Sequence, residues 1–228
     1  VGSEMCIRDS IYIMMDPAKS KNKNADFTSM AVVAVDHQRN KYLIDGATHR
    51  MSLSERWVLL RDTRKKWMAV PGVQVVKVGY EKFSAQSDLE HFEEQMKKTN
   101  AYFQIHELMW AREGSSSKID RIQRLEPDLR NGTFYFPRNN KEGFTRNQQE
   151  AETRGRKHLI SKQIRRINEE GKVYDYVQKL IDNEYLFFPN TTHDDALDAL
   201  SRIYDMEISP PIPMSFKKKL EPEAVADY

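Results

Sequence analysis

Between the turn formers Pro71-Gly72 and Gly79 lies Val73 to Val78, a strongly β-branched run that follows a stretch of helical spacing. Such a run is best satisfied as a buried strand, and a buried strand entered from a helix is the repeating unit of α/β architecture. The preceding helix spans Leu53 to Met68, spaced through Trp57, Leu60, Arg64 and Trp67, with Ser52 or Ser54 as its cap. Upstream, Ile11 to Met15 and Met30 to Val35 read as strands. Lys41 to Ala47 follows the second across the short stretch His37 to Asn40, which predicts an antiparallel meander. The expected fold class is therefore α/β, a mixed β-sheet combining an antiparallel meander with parallel strands and flanked by helices.

Downstream, Ser87 to Lys98 reads as a helix with acids in its first turn and Lys97-Lys98 in its last, as the helix dipole favours. Phe103 to Trp110 reads as a strand, Lys118 to Leu129 as a helix stopped by Asn131-Gly132, and Thr133 to Phe136 as a short strand. Arg138 to His158 is a long polar loop, of the kind that is often functional. Val173 to Ile181 is expected to be helical. His193 to Met206 reads as a helix introduced by Pro189 and Thr192.

A chain of 228 residues fits one core. We place the domain at residues 11–208, preceded by an aperiodic leader, residues 1–10 (VGSEMCIRDS), read as non-native, and followed by a flexible tail, residues 209–228. If the leader is foreign, the native chain continues upstream. Charged residues make up 31% of the chain and hydrophobic ones 39%, and no apolar run reaches the roughly 18 to 20 residues of a spanning helix, so no membrane is implied. The lone Cys6 excludes an internal disulfide and a cysteine-rich zinc site, and fits a reducing setting. A net charge of +2 says little about nucleic acid, because local clusters matter more than the sum.

Chemistry enters through acids at strand ends. Asp16 follows the run Ile-Tyr-Ile-Met-Met, where a carboxylate is held rigidly at the sheet edge while facing a cleft; the competing reading is a turn aspartate before Pro17. Glu81 follows Val-Val-Lys-Val-Gly-Tyr, against the alternative of a solvated loop glutamate. In the run from Thr192 to Leu200, Ala196, Leu197, Ala199, Leu200, Ile203 and Tyr204 share an apolar helical face, while Asp194, Asp195 and Asp198 crowd the other. The three carboxylates repel one another, and a bound cation would remove the conflict; the alternative is N-capping by Thr192 or Asp194 with a solvated acidic face. Hard oxygen ligands without cysteine suit Mg²⁺ or Mn²⁺, and two such ions can activate water and stabilise the leaving oxygen in phosphodiester hydrolysis. His193 is read as a helix-start residue.

The ordered set resembles the nuclease domain of the tailed-phage terminase large subunit. It comprises Asp16, Asp26 before the next strand, Glu81, the segment Lys118 to Ile122 through Pro127 and Gly132 to Pro137, and Phe187-Phe188-Pro189 before His193 to Leu200. That resemblance spans roughly Ile11 to Asp205. It implies a ribonuclease-H-like fold and a metal-dependent endonuclease cutting concatemeric viral DNA during packaging. Asp16, Glu81 and Asp194 or Asp195 would be its metal ligands, with no choice between the last two. It further implies double-stranded DNA, a terminase ATPase domain, a small terminase subunit and a portal as partners, in the cytoplasm of an infected bacterium. No Gly-x-x-x-x-Gly-Lys-Ser/Thr motif occurs, so no ATPase is expected from these residues. DNA contact is expected from Lys19, Lys21 and Lys23, from Arg146, Arg154, Arg156 and Lys157, and from Lys118 and Arg121, through phosphates and hence with little sequence preference. Two other readings remain. One is a Holliday-junction resolvase or transposase-like nuclease sharing the carboxylates, and the other a non-catalytic DNA-binding or procapsid-docking module whose acids are surface charges.

Overall fold

The computed structural model describes residues 10–18, 27–81, 85–109, 115–137 and 164–210. The meander forms as expected, with β1 (Ser10–Asp16) antiparallel to β2 (Thr28–Val35), and β2 antiparallel to β3 (Lys41–His49). Helix α1 (Leu53–Met68) has its predicted bounds and is closed by a Ser52–Glu55 capping box. It leads into β4 (Val75–Glu81), which lies parallel to β1. After α2 (Ala85–Thr99), β5 (Ile105–Leu108) adds parallel to β4. The six-stranded sheet is completed by β6 (Phe134–Tyr135) beside β3, giving the order β5-β4-β1-β2-β3-β6.

Both faces of the sheet are covered, which explains why its central strands are apolar throughout. Ile11, Ile13, Met15, Val32, Val78 and Tyr80 pack toward Trp57 and Leu60 of α1 and Phe92 and Met96 of α2. Tyr12, Met14, Ala31 and Val33 pack on the opposite face, against the helices of the C-terminal half.

Several expectations are corrected. The single helix Lys118 to Leu129 is two, α3 (Ser115–Gln123) and α4 (Glu126–Arg130), because Pro127 has no N–H to continue the ladder and the chain tightens at Arg124 and Leu125. Val173 to Ile181 is not uniformly helical. A hairpin of β7 (Arg165–Ile167) and β8 (Val173–Asp175) comes first, turned at Gly171 with φ 77°, and Asp175 then caps the short α5 (Tyr176–Lys179). The helix expected from His193 starts two residues later as α6 (Asp195–Ser201) and ends in a 3-10 turn, Arg202–Asp205. Gly79 does not end its strand. It lies inside β4, where a Cβ would stand 2.6 Å from Met206 Sδ, so the glycine serves close packing. Ser10, assigned to the leader, opens β1, and its hydroxyl donates to the Ser209 carbonyl at 2.8 Å.

Candidate functional site

Strand parity decides where the acids point. Along β1, Ile11, Ile13 and Met15 face α1 and α2, whereas Tyr12 and Met14 face the other layer, and Asp16 continues that second set. Along β4, Val78 and Tyr80 face α1 and α2, so Gly79 and Glu81 take the opposite side. The parallel register pairs Met15 with Tyr80, and one step further the two carboxyl groups meet at the carboxyl ends of neighbouring strands. There the two side chains interact. Burial, the adjoining Glu81 carboxylate and the charge of Asp198 raise Asp16 well above the usual carboxylate range. Burial also pushes Glu81 up, but the hydrogen bond from Asp16 and the charges of Arg202, Arg121 and Lys118 outweigh it and hold Glu81 below its usual value.

Helix α6 packs across β1 and β2 and against α3, bringing its aspartates to the same place. They do not form a solvated face: Asp195 is 3% exposed and Asp198 1%, while Asp194 is half-buried at the non-helical residue before the first turn. The expected capping by Asp194 is absent, since its side chain makes no cap bond. Cations meet these acids. Arg121 of α3 grips both oxygens of Asp198. Lys118 Nζ lies 2.6 Å from Asp194, 3.6 Å from Asp195 and 3.8 Å from Asp198. Burial pushes this ammonium down, but the hydrogen bond to Asp194 and the three carboxylate charges outweigh it and raise its pKa above the usual lysine range. Arg202, fully buried, binds Glu81 on one side and Asp205 at 3.0 Å on the other.

Two partners were missed in the sequence. Arg202 had a signal, because Asp195, Asp198 and Arg202 stand at i, i+3 and i+7, on one helical face. Glu184 had none: it closes a π turn, Leu180–Glu184, that aims its buried carboxylate at the start of α6, where it accepts from Leu197 N at 2.9 Å and also from Ala196 N. Burial, with Asp195 nearby, raises it from an ordinary 4.5 to about 8. The folded protein therefore holds a proton that the unfolded chain has lost between those values, and stability falls as pH rises through that window. Without metal, the melting temperature of the Glu184→Gln variant should fall less than that of wild type between about pH 5 and about pH 9, by several degrees. Parallel melting curves would discount this coupling.

No family model and no curated protein matches the sequence. Among solved structures, the nuclease domain of human cytomegalovirus terminase, Mn-soaked and inhibitor-bound, matches with a TM-score of 0.52 at 11% identity, over 89% of this chain and 86% of that one. The chain shares the fold of that domain, a mixed six-stranded sheet covered on both faces.

Within this fold the carboxylates sit at the carboxyl ends of β1 and β4, under α6. Phe27, just before β2, ties the sheet to that helix: its N–H donates to Asp195 at 3.2 Å, and its ring lies 5.0 Å from that of His193. Arg50 and Lys179 stand over the same ring at 4.8 and 4.4 Å, which puts two more cations beside the acids. His193 precedes α6 rather than starting it, with Nδ1 3.8 Å from Asp195. Of the residues expected to touch DNA, Lys118 and Arg121 are held by aspartates. Lys19, Lys21, Lys23, Arg146, Arg154, Arg156 and Lys157 lie outside the described residues, as does Asp26.

The donor chemistry suits a hard divalent cation, and the Lys118 ammonium already stands among three of the carboxylates as a positive stand-in. Among the described residues, however, no three of His, Cys, Asp and Glu converge closely enough to hold a metal as they are now placed.

Proposed function

We propose that this chain is a metal-dependent DNA endonuclease that cuts concatemeric viral DNA during genome packaging, with Asp16, Glu81 and the aspartates opening α6 as its metal-holding groups. One observation carries the reading: Asp16 and Glu81, 65 positions apart in the chain, lie side by side at the carboxyl ends of adjacent parallel strands, beneath a helix that supplies the buried Asp195 and Asp198. Burial of those acids counts against a docking module whose carboxylates are surface charges.

Mg²⁺ or Mn²⁺ ions held by these oxygens would polarise a phosphodiester and activate water for its hydrolysis. Mn²⁺ soaking of the cytomegalovirus nuclease domain supports that choice. The protein's own part is positional. Arg121 fixes Asp198, Arg202 fixes Glu81, and Glu184 fixes the first turn of α6. A cation held by the pair would favour the ionised form of Asp16. A bacteriophage source, the cytoplasm of an infected bacterium, and association with a packaging ATPase, a small terminase subunit and a portal belong to the same proposal.

The test is incubation of the purified chain with supercoiled plasmid. Mn²⁺ should support conversion to linear DNA with scattered cut sites, and EDTA should stop it. Metal-independent cleavage, or a single sharp cut site, would count against the reading.

A further inference from the structure

Lys118 differs from the other cations of the site. Arg121 and Arg202 are buried and committed to single positions by two-pronged or two-sided contacts, with side chains 9% and 0% exposed. The Lys118 side chain is 33% exposed, and its ammonium is divided among three carboxylates at 2.6, 3.6 and 3.8 Å. A lysine on a flexible four-carbon stem with one face open to solvent can leave such a position, whereas a forked guanidinium in a buried pair cannot do so easily.

We propose that Lys118 is the protein's own competitor for the divalent cation: its ammonium neutralises Asp194 and Asp195 and must swing out before they can ligate. This rests on the metal-dependent nuclease reading above. Asp195 and Asp198 stand three apart in one short helix, with Asp194 just before it, and their charges repel unless a cation intervenes. In the present structure that cation is the ammonium, and no three of the described ligating groups converge on a metal position. A divalent ion and an ammonium cannot occupy this space together without strong repulsion. The released ammonium remains tethered beside the carboxylates, where a DNA phosphate would approach. Phosphate capture and metal loading are then coupled through one side chain, and each favours the other.

The experiment is a Mn²⁺ titration of EDTA-stripped protein, read by the electron paramagnetic resonance of free Mn²⁺, without DNA. Lys118→Met should bind Mn²⁺ about tenfold tighter than wild type or better, because the repelling charge is gone. Lys118→Arg, which retains the charge, should bind no tighter than wild type. A short duplex with non-hydrolysable linkages should tighten Mn²⁺ binding by wild type and have little effect on the Met variant. A merely structural lysine would give the opposite sign, since its loss loosens the site and weakens the metal. If Lys118→Met binds Mn²⁺ no tighter than wild type while Asp16→Ala abolishes binding, the competitor role is wrong and the metal centre stands. If wild type and both Lys118 variants all fail to bind, both readings fall. Should the Met variant not melt cooperatively, the wild-type response to duplex decides: no tightening overturns the proposal.

Discussion

Asp16→Asn is expected to abolish DNA cleavage, by roughly a thousandfold or more, and at the same time to make the metal-free protein more stable. The two effects have one cause. Asp16 is placed beside Glu81 and under the charge of Asp198, so its ionised form is opposed by burial and by two like charges. The site tolerates this because a cation would repay it. An asparagine amide can donate to the Glu81 carboxylate without the charge that burial penalises. The gain should be about 1 kcal/mol, a rise of roughly 2–4 °C in melting temperature for a chain of this size. Its pH dependence follows from the direction of the shift. Because the folded-state value lies above the unfolded one, the wild-type carboxyl adds stability only under acid conditions and loses it as pH rises; the advantage of the asparagine variant is therefore greatest near neutrality and disappears below about pH 4. Thermal melts in EDTA across that range, paired with plasmid cleavage in Mn²⁺, test both halves. A variant that still cuts removes Asp16 from the chemistry, and one that melts lower in EDTA removes the electrostatic conflict.

What the sequence disclosed is what a short-range signal can encode. The meander and α1 are legible because β1, β2 and α1 are long enough to show a period, and the Ser52 cap marks the start of the helix. Asp16 and Glu81 were legible as acids at the ends of apolar runs. The short elements were not. Residues 173–181 hold a three-residue strand and a four-residue helix, neither long enough to impose a pattern. The hairpin is fixed from outside, by Arg166 donating to the Gly46 carbonyl at 2.8 Å and by the Tyr174 hydroxyl accepting from Thr48 N at 2.9 Å. Gly79 could not be told from a turn glycine, because what requires it is a distant side chain, Met206, pressed against the strand. The cations of the site were hidden for a related reason. A charged residue expected on the surface, such as Arg121, reads as a phosphate contact until the fold brings Asp198 to it.

Arg202→Met should destabilise the protein severely, by about 3–5 kcal/mol in urea unfolding, although methionine fills similar apolar space. Arg202 is fully buried and touches Glu81 and Asp205. Asp205 has a second partner, Arg124 at 2.7 Å, and can survive the loss. Glu81 cannot: its side chain is 14% exposed, its neighbour is the Asp16 carboxyl, and the charge of Arg202 is one of the main influences holding its pKa down. Removing the guanidinium leaves a half-desolvated carboxylate facing another acid. Because the folded-state value of Glu81 is depressed, the pair contributes stability above the unfolded value near 4.5 and loses it as pH falls, so the cost of Arg202→Met should shrink under acid conditions. The double variant Arg202→Met with Glu81→Gln separates this from simple packing. If the orphaned charge is the cause, the second substitution restores a large part of the lost stability; if the loss is a cavity or strain at the 3-10 turn, it restores nothing, and the assignment of Arg202 as the partner that holds Glu81 in the site fails with it.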